Sequence, residues 1–249
     1  MTDRMRGGLL AIASGKGGVG KTVLAIGLAQ ALAQAGQRVL LVDADLGLAN
    51  VDVQLGLDAR HDVADVLAGR LSVAAAATPH AAGFAILPGR SGSGALAGLD
   101  GAAIGRLEAA LAEAMAGFDV VLLDLGAGLD AAVRRLAAAA DLLLVVATEE
   151  PTSLTDAYAV LKLHRRDRPG GAARVVVNQA TDRTAGERTW RTLDQACLRF
   201  LGAGVPLAGV VRRDARVAES IRRQTPLLTR HPGCAAAEDI AALAKSMVD

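Results

Sequence analysis

The sequence predicts an α/β fold, a single doubly wound, mostly parallel sheet with helices on both faces. Three observations carry that expectation. Short apolar runs alternate with helical patterns along all 249 residues. Most of the runs are continuous Val, Leu, Ile and Ala, as strands buried on both faces require. A glycine-rich loop links the first run to the first helical pattern, and in parallel sheets such loops lie at the carboxyl edge, where ligands sit.

The first strand is expected at 9–13 and its helix at 21–34, directly after the glycine loop. A second apolar run, 39–42, precedes a short helical pattern at 63–67. The run 84–87 comes before a long helix at 99–116, and 120–123 before a helix at 131–139. Strands at 142–147, 174–177 and 207–211 then alternate with helices at 153–166, 187–201 and 215–223. A last helix, 235–247, completes the pattern. One domain, 1–249, with a short N-terminal extension at 1–8, accommodates all of them. The Ser/Gly stretch 89–98 is expected to be a surface loop, because apolar runs continue on either side of it.

Composition excludes several functions. With 2% aromatic residues the chain lacks the stacking platforms that bind single-stranded nucleic acid. A formal charge of +1 gives no global field for DNA or acidic lipid. The apolar segment 131–148 is interrupted by Arg134, Arg135 and Asp141, so no bilayer span is expected. The short polar stretch 1–8 has no apolar h-region, so no signal peptide is expected, and Cys197 and Cys234 match neither metal nor redox spacing. A cytoplasmic location is expected.

Three loops after strands carry the chemistry. The first, Gly15-Lys16-Gly17-Gly18-Val19-Gly20-Lys21-Thr22, has the pattern G-x-x-x-x-G-K-[ST]. Its glycines let backbone N–H groups converge on phosphate oxygens, and the following helix adds the positive end of its dipole. Lys21 is expected at the β- and γ-phosphates of ATP, and Thr22 on Mg²⁺. The second loop, Asp43-Ala44-Asp45-Leu46-Gly47-Leu48-Ala49-Asn50, has two carboxylates at alternate positions. One is expected to hold a metal-bound water, the other to orient the attacking water, unless an Asp here merely caps the turn. The third, Asp124-Leu125-Gly126-Ala127-Gly128, is an acid after apolar strand residues, the Walker-B arrangement, with Asp124 reaching Mg²⁺ through water.

Together these loops resemble the MinD/ParA family of deviant Walker A ATPases, whose distinguishing feature is the additional lysine, here Lys16. The resemblance runs from Leu9 to about Met247. It implies a homodimer that sandwiches two ATP molecules, with Lys16 reaching the partner's phosphates. It also implies that Asp45 positions the hydrolytic water, that Asp124 is the switch II acid, that Asn178 contacts adenine, and that Asp156 pairs with Lys16. Within the family the chain resembles the FlhG (FleN, YlxH) regulators of flagellar number and placement. The carrying residues are 43–53, Glu150-Pro151-Thr152-Ser153-Leu154-Thr155-Asp156-Ala157-Tyr158 and Arg199-Phe200-Leu201-Gly202. That likeness implies flagellar partners, an FlhF-like GTPase or switch-complex or regulatory proteins, and action at the cell pole.

The chain departs from the family at Leu125, where Ser or Thr is usual, and at Glu149 and Arg212, where prolines are common. Arg212 falls near the expected adenine pocket. Only Met1 to Gly8 precedes the first strand, so the N-terminal segment that activates FlhF is not expected, nor is an amphipathic membrane tail after the last helix. A ParA-type DNA-partitioning role would use the arginines Arg212, Arg213, Arg216, Arg222, Arg223 and Arg230. Interleaved Asp214 and Glu219 favour a solvated helix face instead. MinD-like division-site selection is weaker without the tail, and an iron–sulfur scaffold lacks the cysteines.

Overall fold

Every residue from Gly8 to Ser14 is buried, as expected of a strand in the middle of a sheet covered on both faces. The computed structural model of the chain describes residues 8–45, 47–89 and 101–248. Within them the chain runs β1 (Gly8–Ser14), α1 (Lys21–Gln34), β2 (Val39–Ala44), α2 (Val51–Leu55), α3 (Val63–Leu67), α4 (Val73–Ala76), β3 (Thr78–Pro79) and β4 (Ala85–Leu87). It continues α5 (Gly101–Ala114), β5 (Val120–Ala127), α6 (Ala131–Ala139), β6 (Leu142–Ala147), α7 (Pro151–Asp167) and β7 (Ala172–Ala180). Last come α8 (Arg183–Leu201), β8 (Leu207–Arg212), α9 (Ala215–Arg222), α10 (Leu227–Arg230) and α11 (Ala235–Val248).

The eight strands form one sheet in the order β3-β4-β2-β5-β1-β6-β7-β8, parallel except for the β3–β4 pair. Alternation along β1 divides the core. Leu9, Ala11 and Ala13 join the apolar layer under α3 to α8, whereas Leu10 and Ile12 join the layer under α1, α2, α10 and α11. Burying each such Leu or Ile contributes about 1.5–3 kcal/mol. Helix α1 is buried over most of its circumference because α11 covers the side turned away from the sheet.

The expected strands are all present, and two helices, α7 and α8, start earlier than expected for local reasons. Helix α7 begins at Pro151 rather than 153, since proline suits the first helical turn, where no amide partner is needed. Helix α8 begins at Arg183 rather than 187, because the Asp182 carboxylate accepts from the Ala185 amide at 2.7 Å and caps the helix there. The short α2, α4 and α10 and the antiparallel β3 carry too few residues to show periodicity in sequence. The loop 89–98 and the first two residues expected in the 99–116 helix fall, apart from Gly89, outside the described residues. Among the described residues no helix is long and apolar enough to cross a membrane.

Candidate functional site

The carboxyl ends of β1, β2, β5, β7 and β8 surround a cavity of about 670 Å³. One wall is the glycine loop. Gly18 and Gly20 adopt φ of 78° and 89°, left-handed values that curl the backbone. Helix α1 starts at Lys21 with no side-chain cap and no acidic residue in its first turn, so its leading N–H groups remain available to an anion. Lys21 is 8% exposed, and its ammonium donates to Ser14 Oγ at 2.9 Å. Burial lowers its pKa, against the charges of Asp124 and Asp45, which raise it. A cation withdrawn from water and facing a cavity is matched to an anionic ligand.

The loop is braced from outside. Asn178 Nδ2 donates to the Val19 carbonyl at 2.8 Å, and Gln179 Nε2 to the Gly18 carbonyl at 3.1 Å. Gln179 holds φ at 57°, a left-handed value uncommon for a side-chain-bearing residue. A β-carbon at Gly20 would lie 2.5 Å from Asn178 Nδ2, and one at Gly15 would lie 2.6 Å from Asp156 Cβ. Glycine is required at both positions by close approach.

Behind the loop, Asp43 and Asp124 stand opposite one another on β2 and β5. Burial, then the Asp43 charge, pushes the Asp124 carboxyl up to about 7, although the Thr22 hydroxyl and Lys21 pull it down. Asp124 Oδ1 is buried and has no hydrogen-bond partner among the described residues. An orphaned carboxylate oxygen beside a threonine hydroxyl, at the foot of an anion site, fits a divalent cation. Asp43, expected to share the metal, braces the loop that follows it. It is fully buried, its Oδ2 accepts from the Asn50 and Val51 amides at 2.8 and 2.9 Å, and its Oδ1 from the Asp45 amide at 3.2 Å. Burial raises it to about 6 against these bonds. Asp43 therefore holds the start of α2 and the loop before it, the capping alternative that the sequence left open.

Asp45 is separate from Asp43 and lines the cavity. Its Oδ1 accepts from the Leu48 amide at 3.0 Å, and a β-carbon on Gly126 would come within 3.2 Å of that oxygen. The two switch loops thus touch through Asp45 and Gly126. Leu125 is 1% exposed, so the position where a hydroxyl is usual is here apolar and inside.

Lys16 does not pair with Asp156, which corrects the expectation. Its ammonium forms an ion pair with Glu150 and lies 3.3 Å from Thr152 Oγ1, at the start of α7. Asp156 sits more than a turn further along the helix, its β-carbon and backbone packed beneath Gly15, while the Lys16 side chain leaves the loop toward the helix end. The Lys16 hydrogen bond lowers the Glu150 pKa. The site contacts of Glu150, Ser14 and Gln179 were not read from sequence; the first lies 134 residues from its partner, and no spacing rule reaches that far.

The far end of the cavity is lined by Asn178, Arg212, Val217, Ile221, Ala236 and Ile240. Much of the arginine cluster is neutralised internally. Arg212 is engaged by Asp239 and Glu238, and Arg216 and Arg230 both pair with Glu219, whose carboxyl those bonds pull down to about 2. This favours the solvated-face reading over a DNA-binding stripe.

Comparison with known proteins agrees with this geometry. Residues 10–227 match the model of the CobQ/CobB/MinD/ParA nucleotide binding domain. The antiactivator FleN of Pseudomonas aeruginosa is 37% identical over 224 residues, covering 90% of this chain and 80% of FleN. The flagellum site-determining protein YlxH of Helicobacter pylori is 29% identical over 227 residues, 87% of this chain and 76% of YlxH. Among solved structures, the cell division ATPase MinD of Pyrococcus furiosus superposes with a TM-score of 0.82 at 27% identity, covering 97% and 98% of the two chains. The MinD of Pyrococcus horikoshii, solved with Mg-ADP, gives 0.79 at 26% identity over 95% and 94%. The chain belongs to the CobQ/CobB/MinD/ParA nucleotide-binding family and is a P-loop ATPase of the MinD/ParA type.

Proposed function

We propose that the chain is an ATP-driven molecular switch that binds Mg-ATP, closes as a homodimer over two nucleotides, and reopens after hydrolysis. One observation carries this reading: the uncapped start of α1, Lys21, Thr22 and Asp45 all meet around one cavity, with Asp124 bonded to Thr22 behind it. Backbone N–H groups of Gly15, Gly17, Gly18, Val19 and Gly20 and the first turn of α1 hold the phosphates. Lys21 moves from Ser14 to the β- and γ-phosphates, and Lys16 leaves Glu150 for the phosphates of the second subunit. Thr22 and, through water, Asp124 would hold Mg²⁺, which would supply positive charge to offset the charge of the phosphates. Asp45 orients the attacking water. The Asp45–Gly126 contact couples the two switch loops, so both shift when a γ-phosphate enters or leaves.

Asp45→Ala tests the catalytic half of this reading. The variant is expected to bind ATP and dimerise, while turnover falls by about a hundredfold or more, the scale for removing a positioned group that assists water. Turnover and light-scattering mass are measured with ATP; a normal rate would remove Asp45 from the mechanism.

The similarity to FleN and YlxH supports a biological role in setting flagellar number or placement. The ATP-bound dimer would be the state read by flagellar partners, an FlhF-like GTPase, switch-complex or regulatory proteins, in the cytoplasm at the cell pole. Deleting the gene in a flagellated host is expected to change flagellar count or position, scored by electron microscopy. Normal flagellation with mis-segregated chromosomes or plasmids would support DNA partitioning instead.

A further inference from the structure

Arg212 is an uncommon residue at the base end of the cavity, and the fold fixes it with care. It ends β8 in register with Ala180 of β7, two residues beyond Asn178, so Arg212 and Asn178 leave neighbouring strand ends and both line the cavity. Arg212 Nε donates to Asp239 Oδ2 at 2.7 Å and Nη2 to Oδ1 at 2.9 Å, a side-on fork that fixes the guanidinium plane. The Arg212 backbone amide donates to the same Oδ2 at 3.0 Å, and Nη2 also approaches the Ala235 carbonyl at 3.3 Å. The Asp239 side chain is 1% exposed and also pairs with Arg183. Burial works against its charge, but the Arg212 bonds and the Arg183 charge outweigh it and keep the carboxyl below its ordinary range.

These bonds use Nε and Nη2. Nη1 makes no hydrogen bond among the described residues, so a donor remains free on a residue that lines the cavity. Asn178 is the converse. A carbonyl such as Val19's only accepts, so one of the two Asn178 amide N–H groups is held there, which fixes the amide plane and leaves its oxygen as an acceptor. An Arg212 donor and the Asn178 acceptor therefore stand on adjacent strand ends. The same edge of adenine carries the N6 donor beside the N7 acceptor, whereas guanine carries two acceptors there, O6 and N7. The apolar side chains of Val217, Ile221, Ala236 and Ile240 provide the surface on which a planar base can lie.

We propose that Arg212, held by Asp239, donates to N7 of the bound adenine while the Asn178 oxygen accepts from N6, and that this pair selects adenine over guanine. The inference rests on the nucleotide-binding reading above and adds the residue that reads the base. Asp239 is a positioning residue, because it acts only through Arg212.

The test compares ADP with 7-deaza-ADP, which keeps N6 and both phosphates but carries C–H in place of N7. Diphosphates keep hydrolysis and ATP-driven dimerisation out of the measurement, and the ratio of two dissociation constants within one protein does not depend on the folded fraction. By calorimetry the wild type is expected to bind 7-deaza-ADP about tenfold more weakly than ADP, the worth of one charge-assisted hydrogen bond. GDP is expected to bind at least as weakly. Arg212→Ala should bind ADP and 7-deaza-ADP alike, and Asp239→Asn should narrow the ratio. The double variant Arg212→Ala/Asp239→Ala, which leaves no unpaired buried carboxylate, should match Arg212→Ala. Equal binding of the two ligands by wild type, GDP binding as tight as ADP, or a wild-type ratio retained in both alanine variants would overturn the proposal. Folded wild type that binds no ADP would overturn the nucleotide reading as well, whereas ADP binding without discrimination overturns base reading alone.

Discussion

Replacing Lys21 by alanine is expected to abolish tight ATP binding while leaving the fold intact. The ammonium is 8% exposed and its recorded hydrogen bond goes to the Ser14 hydroxyl, a weak substitute for a phosphate. Charge-assisted hydrogen bonds contribute about 1.5–3 kcal/mol each, so losing two from the β- and γ-phosphates weakens binding by at least a hundredfold. Folding tolerates the change, since a buried lysine held below its ordinary pKa by desolvation contributes little to stability before the ligand arrives. Calorimetric titration with ATP and a thermal melt on the same sample separate the two effects. An unchanged dissociation constant would sink the assignment of the phosphate site.

The second large effect is expected at Lys16. Two facing phosphate loops bring several negative charges together, and cations between them are needed to offset that repulsion. In the structure Lys16 is paired with Glu150 of its own chain. Both side chains are substantially exposed, 40% and 64%, so water and salt screen the pair and it is weakly held. In the proposed dimer, a triphosphate presented by a second subunit would carry more charge in a drier setting and would win the lysine. Glu150 then acts as a resting place rather than a lock. Lys16→Ala should therefore lose the ATP-induced dimer and hydrolysis while keeping ATP affinity within about tenfold, or ~1.4 kcal/mol. Light scattering with ADP and with ATP reads the outcome, and a Lys16→Ala protein that dimerises normally with ATP would refute the trans role. Glu150→Gln should move the dimer midpoint to lower ATP concentration, because it removes the competing acid.

The loops were legible in sequence because phosphate binding is local chemistry. Gly15 to Thr22 supply curvature, charge and hydroxyl within eight residues, and the strand before and helix after them follow from short-range apolar patterns. Strand positions were legible for the same reason: β1, β2, β5 and β6 are buried on both faces and read as continuous apolar runs. What was not legible depends on distant partners. Asp43 and Asp45 look equivalent in the chain, and only the pairing of β2 with β5 and the fold-back of Asn50 and Val51 make one a buried brace and the other a cavity residue. The family resemblance implied Asp156 as the partner of Lys16, whereas the structure packs Asp156 beneath Gly15 and pairs the lysine with Glu150, just before α7.

By itself, then, the sequence determined the class of sheet, the phosphate loop and the identity of its charged groups, since periodicity and glycine geometry act over a few residues. Only the tertiary structure decided which carboxylate meets which cation. Arg212 and Asp239 are 27 residues apart, Lys16 and Glu150 134, and Asn178 and Val19 159. An electrostatic or hydrogen-bonded partner is chosen by distance and burial in space, and those are properties of strand order and helix packing rather than of any single stretch of chain.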